Sequence, residues 1–211
     1  MINRYECIPL LSKIEHYYQI NSFKIDRENA YSTLQDKIIG LESYLKRCAW
    51  QDDSSNLVRI YLIKDVLLNE IAAYFGLKAG MLCDSQQGMI PTKEQTEILQ
   101  RTGMKWLPEV IPGIEISHFA VNDNYRRSLL KTGISVRGLG KYFYPAFIYP
   151  IIEDVTHRIG VNMIYLYAAG DKKLISYYQD VFDFHVLSNN DYYVPLMPDY
   201  DGGCKFMYKI I

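Results

Sequence analysis

Two glycines at the start of a predicted helix form the clearest candidate site in this sequence. The run reads VRGLGK over residues 136–141, with glycines at Gly138 and Gly140. A glycine-containing turn at a helix start leaves backbone N–H groups unpaired, and the helix dipole adds positive potential there. Arg137 and Lys141 add two cationic side chains. The pattern predicts a site for a phosphate or pyrophosphate; the alternative is a tight helix start that binds no ligand.

The segment that ends with this loop is basic, although the whole chain is not. The 211 residues include 23 Lys and Arg against 24 Asp and Glu, which gives a formal net charge of −1. Residues 101–141 alone contain seven Lys and Arg against three Asp and Glu. This balance argues against binding of nucleic acid through bulk charge, but it allows a local basic patch.

Tyrosine is abundant, whereas histidine and cysteine are scarce, with 19 Tyr against 4 His and 4 Cys. The cysteines are far apart and form no C-x-x-C motif, so we expect neither a metal site nor a disulfide framework. The N-terminus does not resemble a signal peptide, and no run of 18 apolar residues is present. We therefore expect a cytoplasmic protein that does not span a membrane.

The elements around the glycine loop predict a mixed α/β fold. Apolar spacing predicts helices within residues 1–50, while residues 84–112 resemble a polar insertion between two strands. Strands are predicted over 57–63, 70–82, 114–121, 161–168, 182–188 and 204–211, with a helical alternative over 66–77. Polar composition predicts loops at 51–56 and 122–136, and a short helix is expected over 172–181.

The helix after the glycine loop is expected to end at Gly160. Pro145 and Pro150 should kink or loosen it. Its predicted core stripe, at a spacing of four residues, consists of Leu139, Phe143, Phe147, Ile151 and Val155.

Three segments together resemble the GNAT superfamily of N-acetyltransferases. The acetyl-CoA loop of that family reads Gln/Arg-x-x-Gly-x-Gly/Ala, and its two glycines match Gly138 and Gly140. Ser135 occupies the Gln/Arg position, and Arg137 lies one residue before the first glycine. The segment IEISHFAV (114–121) resembles the family's fourth strand. The segment LISYYQDVFDF (174–184) resembles its closing signature, with Asp183 where glycine is usual.

The resemblance covers roughly residues 40–211. Within the superfamily, the segment YLKRCA (44–49) and the two strands after it are most similar to the branch that includes toxins of toxin–antitoxin pairs. It implies a single domain over residues 1–211, with a mixed, mostly antiparallel central sheet flanked by helices. The fourth and fifth strands would splay into a cleft for acetyl-CoA, whose pantetheine arm would pair with exposed backbone. The implied cofactor contacts are Phe119, Ala120, Val121, Arg137, Gly138, Leu139, Gly140 and Lys141.

The resemblance also implies catalytic residues. In the family, a tyrosine in the helix after the fifth strand protonates the leaving thiolate. The matching residue is Tyr178, or Tyr177 if the register slips by one. Glu115 matches the base glutamate of histone-type members, and a desolvated carboxylate suits that role. His118 is the rival base, with a satisfied core histidine as the alternative. Backbone N–H groups near Phe119 to Val121 would bind the oxyanion.

The implied activity is transfer of an acetyl group from acetyl-CoA to a primary amine by direct attack in a ternary complex. The acceptor is a small molecule, a peptide or an aminoacyl-tRNA; a homodimer and an antitoxin are further expected partners. The alternative is a non-catalytic acyl-CoA-binding or protein-interaction module on a degenerate GNAT fold, which Ser135 and Asp183 favour. A Rossmann nucleotide site is disfavoured, because residues 57–121 lack β-α alternation.

Overall fold

The structure is a computed structural model in which the chain divides into two units. The first comprises Met1–Lys78 and Ile116–Ile151, and the second comprises Ala79–Glu115 and Ile152–Ile211. The residues that the structure describes are 4–12, 17–26, 40–84, 96, 99–100, 110–187, 192–193 and 204–211. Most of the predicted insertion at 84–112 lies outside these residues. A single domain over residues 1–211 stays a prediction.

The first unit contains the N-terminal strands and the helices around them. Its strands are β1 (Tyr5–Pro9), β2 (Arg59–Asp65), the first part of β3 (Glu70–Asp84) and the last part of β4 (Val110–Val121). Its helices are α1 (Tyr17–Asn21), α2 (Leu41–Arg47), α3 (Ala49–Ser54), α4 (Asp123–Lys131) and α5 (Leu139–Phe143). The strand order is β1-β2-β3-β4, and the first two pairs are antiparallel.

The second unit contains the remaining strands. Its further elements are β5 (Met163–Ala169), α7 (Lys172–Phe182), β6 (His185–Val186), β7 (Tyr192–Tyr193) and β8 (Cys204–Ile210), while α6 (Tyr149–Arg158) begins in the first unit. The strand order is β4-β5-β8-β6, and β7 pairs with β3. β4 and β5 are parallel from Gly113 opposite Met163 to Glu115 opposite Tyr165, whereas β8 is antiparallel to both β5 and β6. The mixed, mostly antiparallel sheet is thereby confirmed.

β3 is a strand throughout, so the helical alternative over residues 66–77 is wrong. Residues Ile71 to Phe75 are fully buried, as expected for a strand that is covered on both faces. Gly76 serves packing within this strand. A Cβ atom there would lie 2.9 Å from both Ser117 Oγ and Val58 Cγ1, so only glycine leaves room for these side chains.

The prediction that residues 1–50 are helical is wrong at the N-terminus. Tyr5–Pro9 form β1, which pairs with β2 from Tyr5 opposite Asp65 to Pro9 opposite Tyr61. Over so few residues the apolar positions fit a strand as well as a helix, and pairing with a distant strand decides between them. α1 and α2 confirm helical structure later in this range; residues 13–16 and 27–39 lie outside the described part.

Two predicted loops contain helices. Residues 49–54 form α3 where a loop was expected over 51–56, and residues 123–131 form α4 where a loop was expected over 122–136. Asn, Asp and Ser favour turns and helix caps alike, which explains both errors. The Asn122 side chain caps α4 by accepting from the Asn124 N–H at 3.0 Å, and it also accepts from the Lys24 N–H at 3.1 Å. The second bond is tertiary and leaves no local signal.

The helix after the glycine loop begins at Leu139 as predicted, but its buried stripe differs. A π-helical turn at Tyr144–Ile148 joins α5 to α6. Leu139 and Phe143 are buried as expected, whereas Phe147, Ile151 and Val155 are only partly buried. The buried positions after α5 are Tyr144, Ile148 and Ile152. A π turn adds one residue to the helical repeat, so the face that follows is shifted by one position.

A buried carboxylate joins several elements of the first unit. Asp65 is fully buried at the end of β2. Its Oδ2 accepts from Arg4 Nε at 2.7 Å and from the Tyr125 hydroxyl at 2.9 Å. Its Oδ1 accepts from the backbone N–H groups of Leu67 and Leu68 in the turn to β3. Burial alone would raise the pKa of Asp65, but the bonds from Arg4, Leu68 and Tyr125 outweigh it and lower that pKa below its ordinary value.

We expect Asp65→Asn to lower the free energy of unfolding by about 2–4 kcal/mol at pH 7, because an amide cannot accept four donors as a carboxylate does. The folded-state pKa of Asp65 is lowered, so its stabilisation is present above the unfolded pKa of about 3.9 and is lost as the pH falls through the folded value. Urea unfolding of both proteins should therefore show a difference that shrinks below about pH 4. A difference that stays constant down to pH 2 would contradict this account.

Candidate functional site

The glycine loop at the start of α5 has the geometry of an anion-binding helix start. Gly138 has a φ of 76°, a left-handed conformation that favours glycine, and it caps the helix. Its carbonyl accepts from the Tyr142 N–H at 2.9 Å, while the N–H groups of the first turn have no partner within the helix. Leu139 is buried and anchors the loop, whereas Arg137 and Lys141 are exposed. The arrangement can bind a phosphate group through amides and two cations.

The end of β4 carries the other predicted cofactor contacts. Ala120 is buried and belongs to an apolar core with Tyr74 and Leu45, whereas Phe119 and Val121 are half-buried. Asn122 follows at once, and its N–H donates to the Ala72 carbonyl at 2.9 Å. The end of β4 is therefore fixed to β3 by the packing of Ala120 against the core and by the backbone hydrogen bond of Asn122.

Glu115 lies in the second unit and is only 2% exposed. It is opposite Tyr165 in the parallel pairing of β4 with β5. Strand alternation places it on the face that also carries Ile111 and Gly113. A carboxylate at such depth needs compensating interactions.

His118 lies on β4 within the first unit, against aromatic rings. Its ring stacks on Tyr44 with centroids 3.6 Å apart, and Tyr74 is 6.4 Å away. Its Nδ1 is 2.9 Å from Ser117 Oγ, which donates its proton to the Gly76 carbonyl at 3.3 Å. Because the serine proton is used there, Nδ1 carries the imidazole proton. Burial, with a smaller effect from the charge of Lys78, lowers the pKa of His118 to about 3.

Tyr178 and Tyr177 lie together on α7 in the second unit. The Tyr178 ring contacts Phe182 and Phe184, with centroids 5.9 Å away in both cases. Burial of the phenol, followed by the influence of Tyr177, raises the pKa of Tyr178 to about 12. The residue as a whole is half-buried, so its hydroxyl end is the desolvated part. Tyr178 therefore keeps its proton throughout the physiological range.

Asp183 ends α7 in the conformation for which glycine is usual. Its φ is 59°, and its N–H donates to the Gln179 carbonyl at 3.2 Å. The next N–H, from Phe184, donates to the Tyr178 carbonyl at 3.2 Å. Asp and Asn tolerate left-handed backbone better than most residues. Asp183 thus forms a normal helix end without a glycine.

The described residues contain few other groups that could bind a metal or react. No group of three or more His, Cys, Asp or Glu is placed there to hold a metal ion, and the four cysteines are free thiols. None of the described helices is both long and apolar enough to cross a membrane. Tyr5 and Tyr125 belong to no motif, so the sequence does not indicate them: the Tyr5 ring contacts the helix after the glycine loop, and its hydroxyl lies 2.7 Å from that of Tyr125.

A parallel β4–β5 pair in a mostly antiparallel sheet, with a glycine loop and a helix between these two strands in the sequence, matches a GNAT-like fold. Solved structures share it. KacT, as a tyrosine-to-phenylalanine mutant, has a TM-score of 0.62 at 13% identity, over 99% of this chain and 95% of KacT.

Two structures of AtaT are also similar to this chain. A tyrosine-to-phenylalanine mutant of the AtaT toxin, bound to the C-terminus of the antitoxin AtaR and acetyl-CoA, has a TM-score of 0.60 at 12% identity, over 99% of this chain and 94% of AtaT. AtaT complexed with acetyl-methionyl-tRNAfMet has a TM-score of 0.60 at 14% identity, over 96% and 93%. No protein-family model and no curated protein matches the chain.

We expect His118 to make folding pH-dependent. Its pKa falls from about 6.5 in the unfolded chain to about 3 in the fold, so its stabilisation is present above pH 6.5 and is lost as the pH falls toward 3. His118→Gln should remove up to about 1.4 kcal/mol per pH unit of slope over this range in urea unfolding. His157→Gln provides the control, because it removes an imidazole from an exposed position. Equal slopes in all three proteins would refute the environment described for His118.

Proposed function

We propose that this protein is an acetyl-CoA-dependent N-acetyltransferase that transfers an acetyl group to a primary amine. The main support is the glycine loop on a GNAT-like fold, with a left-handed Gly138 and exposed cations on either side of the helix start. The similar AtaT structure contains acetyl-CoA, which agrees with this assignment. Bound acetyl-CoA would supply an activated thioester.

The cofactor-binding residues would be Phe119, Ala120, Val121, Arg137, Gly138, Leu139, Gly140 and Lys141. The amides of the first helical turn and the side chains of Arg137 and Lys141 would neutralise the pyrophosphate. Arg137 would do part of the work of the residue that Ser135 replaces. The backbone of Phe119 to Val121 would hold the pantetheine arm and the carbonyl under attack.

Tyr178 would donate a proton to the leaving thiolate. A general acid must hold its proton until the transition state, and a phenol with a pKa of about 12 does so at neutral pH. Both KacT and AtaT have been solved as tyrosine-to-phenylalanine mutants, which agrees with a tyrosine of special interest in such proteins.

Glu115 would accept the proton of the attacking amine. His118 is a weaker candidate on physical grounds, since an imidazole with a pKa of about 3 has little affinity for a proton at neutral pH. His118 would instead contribute to the packing of β4 against Tyr44.

The acceptor that we propose is an aminoacyl-tRNA. AtaT has been solved with acetyl-methionyl-tRNAfMet, and the excess of Lys and Arg over residues 101–141 provides charge for a phosphate backbone. An antitoxin partner, a homodimer and a cytoplasmic location belong to the same proposal.

The decisive experiment compares acetyl transfer by wild type, Tyr178→Phe and Tyr177→Phe, with free CoA measured as released thiol. We expect kcat to fall about 100-fold in Tyr178→Phe only, because phenylalanine keeps the ring packing but has no proton to donate. Calorimetry should show unchanged CoA affinity in both variants. Wild type that binds CoA yet acetylates no amine or aminoacyl-tRNA would make this a non-catalytic acyl-CoA-binding module.

We expect Glu115→Gln to lower kcat by about 100-fold at pH 7, and less as the pH approaches the pKa of the acceptor amine, since a neutral amine needs no base. The measurement is the pH–rate profile of wild type and variant with saturating acetyl-CoA. A parallel loss at every pH would assign Glu115 a structural role instead.

A further inference from the structure

A directional chain of hydrogen bonds runs from Asp65 to the N-terminal strand. A carboxylate only accepts, so the Tyr125 hydroxyl donates to Asp65 Oδ2, at 2.9 Å. With its own proton used, the Tyr125 oxygen accepts from the Tyr5 hydroxyl at 2.7 Å. Burial and these two bonds raise the pKa of Tyr125, so the chain keeps its protons. The position of the Tyr5 hydroxyl is thereby fixed, through Tyr125, by the fully buried carboxylate of Asp65.

The Tyr5 ring lies against the helix that follows the glycine loop. Its centroid is 5.2 Å from that of Phe143, 5.8 Å from that of Tyr142 and 6.4 Å from that of Phe147. Tyr142 is one turn from Gly138, to whose carbonyl its N–H donates. The first turn of α5, which carries the glycine loop, therefore rests on Tyr5 and on the buried side chains of Leu139 and Phe143.

α5 is short, and the hydrogen-bond pattern of the helix changes directly after it. α5 has only five residues, and the π turn at Tyr144–Ile148 interrupts the regular hydrogen-bond pattern behind it. A π turn can bend a helix axis, so lateral contacts help to set the direction of the segment in front of it. Tyr5 provides these contacts through its ring, while its hydroxyl sets the angle of that ring.

We infer that Tyr5, Tyr125 and Asp65 are positioning residues for the glycine loop and so for the pyrophosphate of CoA. This inference rests on the proposed function. It assigns a role in cofactor affinity to an N-terminal strand that need not touch the cofactor. Packing alone would not require the two hydroxyls, since phenylalanine would fill the same space.

The test is the CoA affinity of Tyr5→Phe and Tyr125→Phe, measured by calorimetry. Both variants should bind CoA about fivefold more weakly, the equivalent of one lost hydrogen bond. In turnover, the KM for acetyl-CoA should rise while kcat and the KM for the acceptor stay constant. Tyr74→Phe is the matched control, because it removes the bond from another fully buried phenol in this unit, to the Leu41 carbonyl at 2.6 Å. It should lower stability similarly and leave CoA affinity unchanged.

Amide hydrogen exchange without ligand separates this inference from the proposed function. The Tyr142 N–H, bonded to the Gly138 carbonyl, should exchange faster in Tyr5→Phe and Tyr125→Phe than in wild type and Tyr74→Phe. If wild type binds no CoA but the exchange pattern holds, the proposed function fails and the support of the loop stands. Unchanged Tyr142 exchange, or CoA affinity that falls equally in Tyr74→Phe, would overturn the inference.

Discussion

The buried carboxylate of Asp65 is the constraint on which the first unit depends. A carboxylate that is removed from water needs hydrogen-bond donors, and the donors here come from three places: the N-terminal segment, the turn after β2 and helix α4, whose Tyr125 accepts in turn from Tyr5 of strand β1. None of these segments is adjacent in sequence to all the others. Satisfying one charge therefore sets where β1 begins, how β2 turns into β3 and where α4 packs.

The glycine loop depends on the same arrangement. Gly138 has a left-handed conformation, which glycine adopts without strain. The direction of the helical turn that follows depends on the packing of Leu139 and Phe143 and on the contact with the Tyr5 ring. The π turn separates this segment from α6, so α5 can be oriented by its neighbours. A loop that presents amides to an anion needs such fixed geometry, because a donor that is misplaced by a fraction of an ångström loses much of its effect.

Asp183 and His118 have local physical explanations in the structure. Asp183 adopts the left-handed conformation that glycine commonly has at a helix end, and it closes α7 with the usual bonds. The helix that carries Tyr178 therefore ends normally, and Phe184 packs against the Tyr178 ring. On β4, the neutral His118 fills the space beside Tyr44, and Gly76 leaves room for the serine that sets its tautomer. These features keep the fold intact around the residues proposed to act.

Local patterns in the sequence were enough to predict most strands, the glycine loop with its helix and the class of fold. Strand alternation and a glycine-containing helix start act over a few residues, so they leave a readable signal. Only the tertiary structure decided that Tyr5–Pro9 is a strand, that α4 is a helix and that the π turn moves the buried stripe, since each depends on partners far along the chain. The sequence likewise contained Asp65, Tyr125 and Tyr5 without any sign that they meet. Folding brings them together because a buried carboxylate is stable only when hydrogen-bond donors replace the water that it has lost.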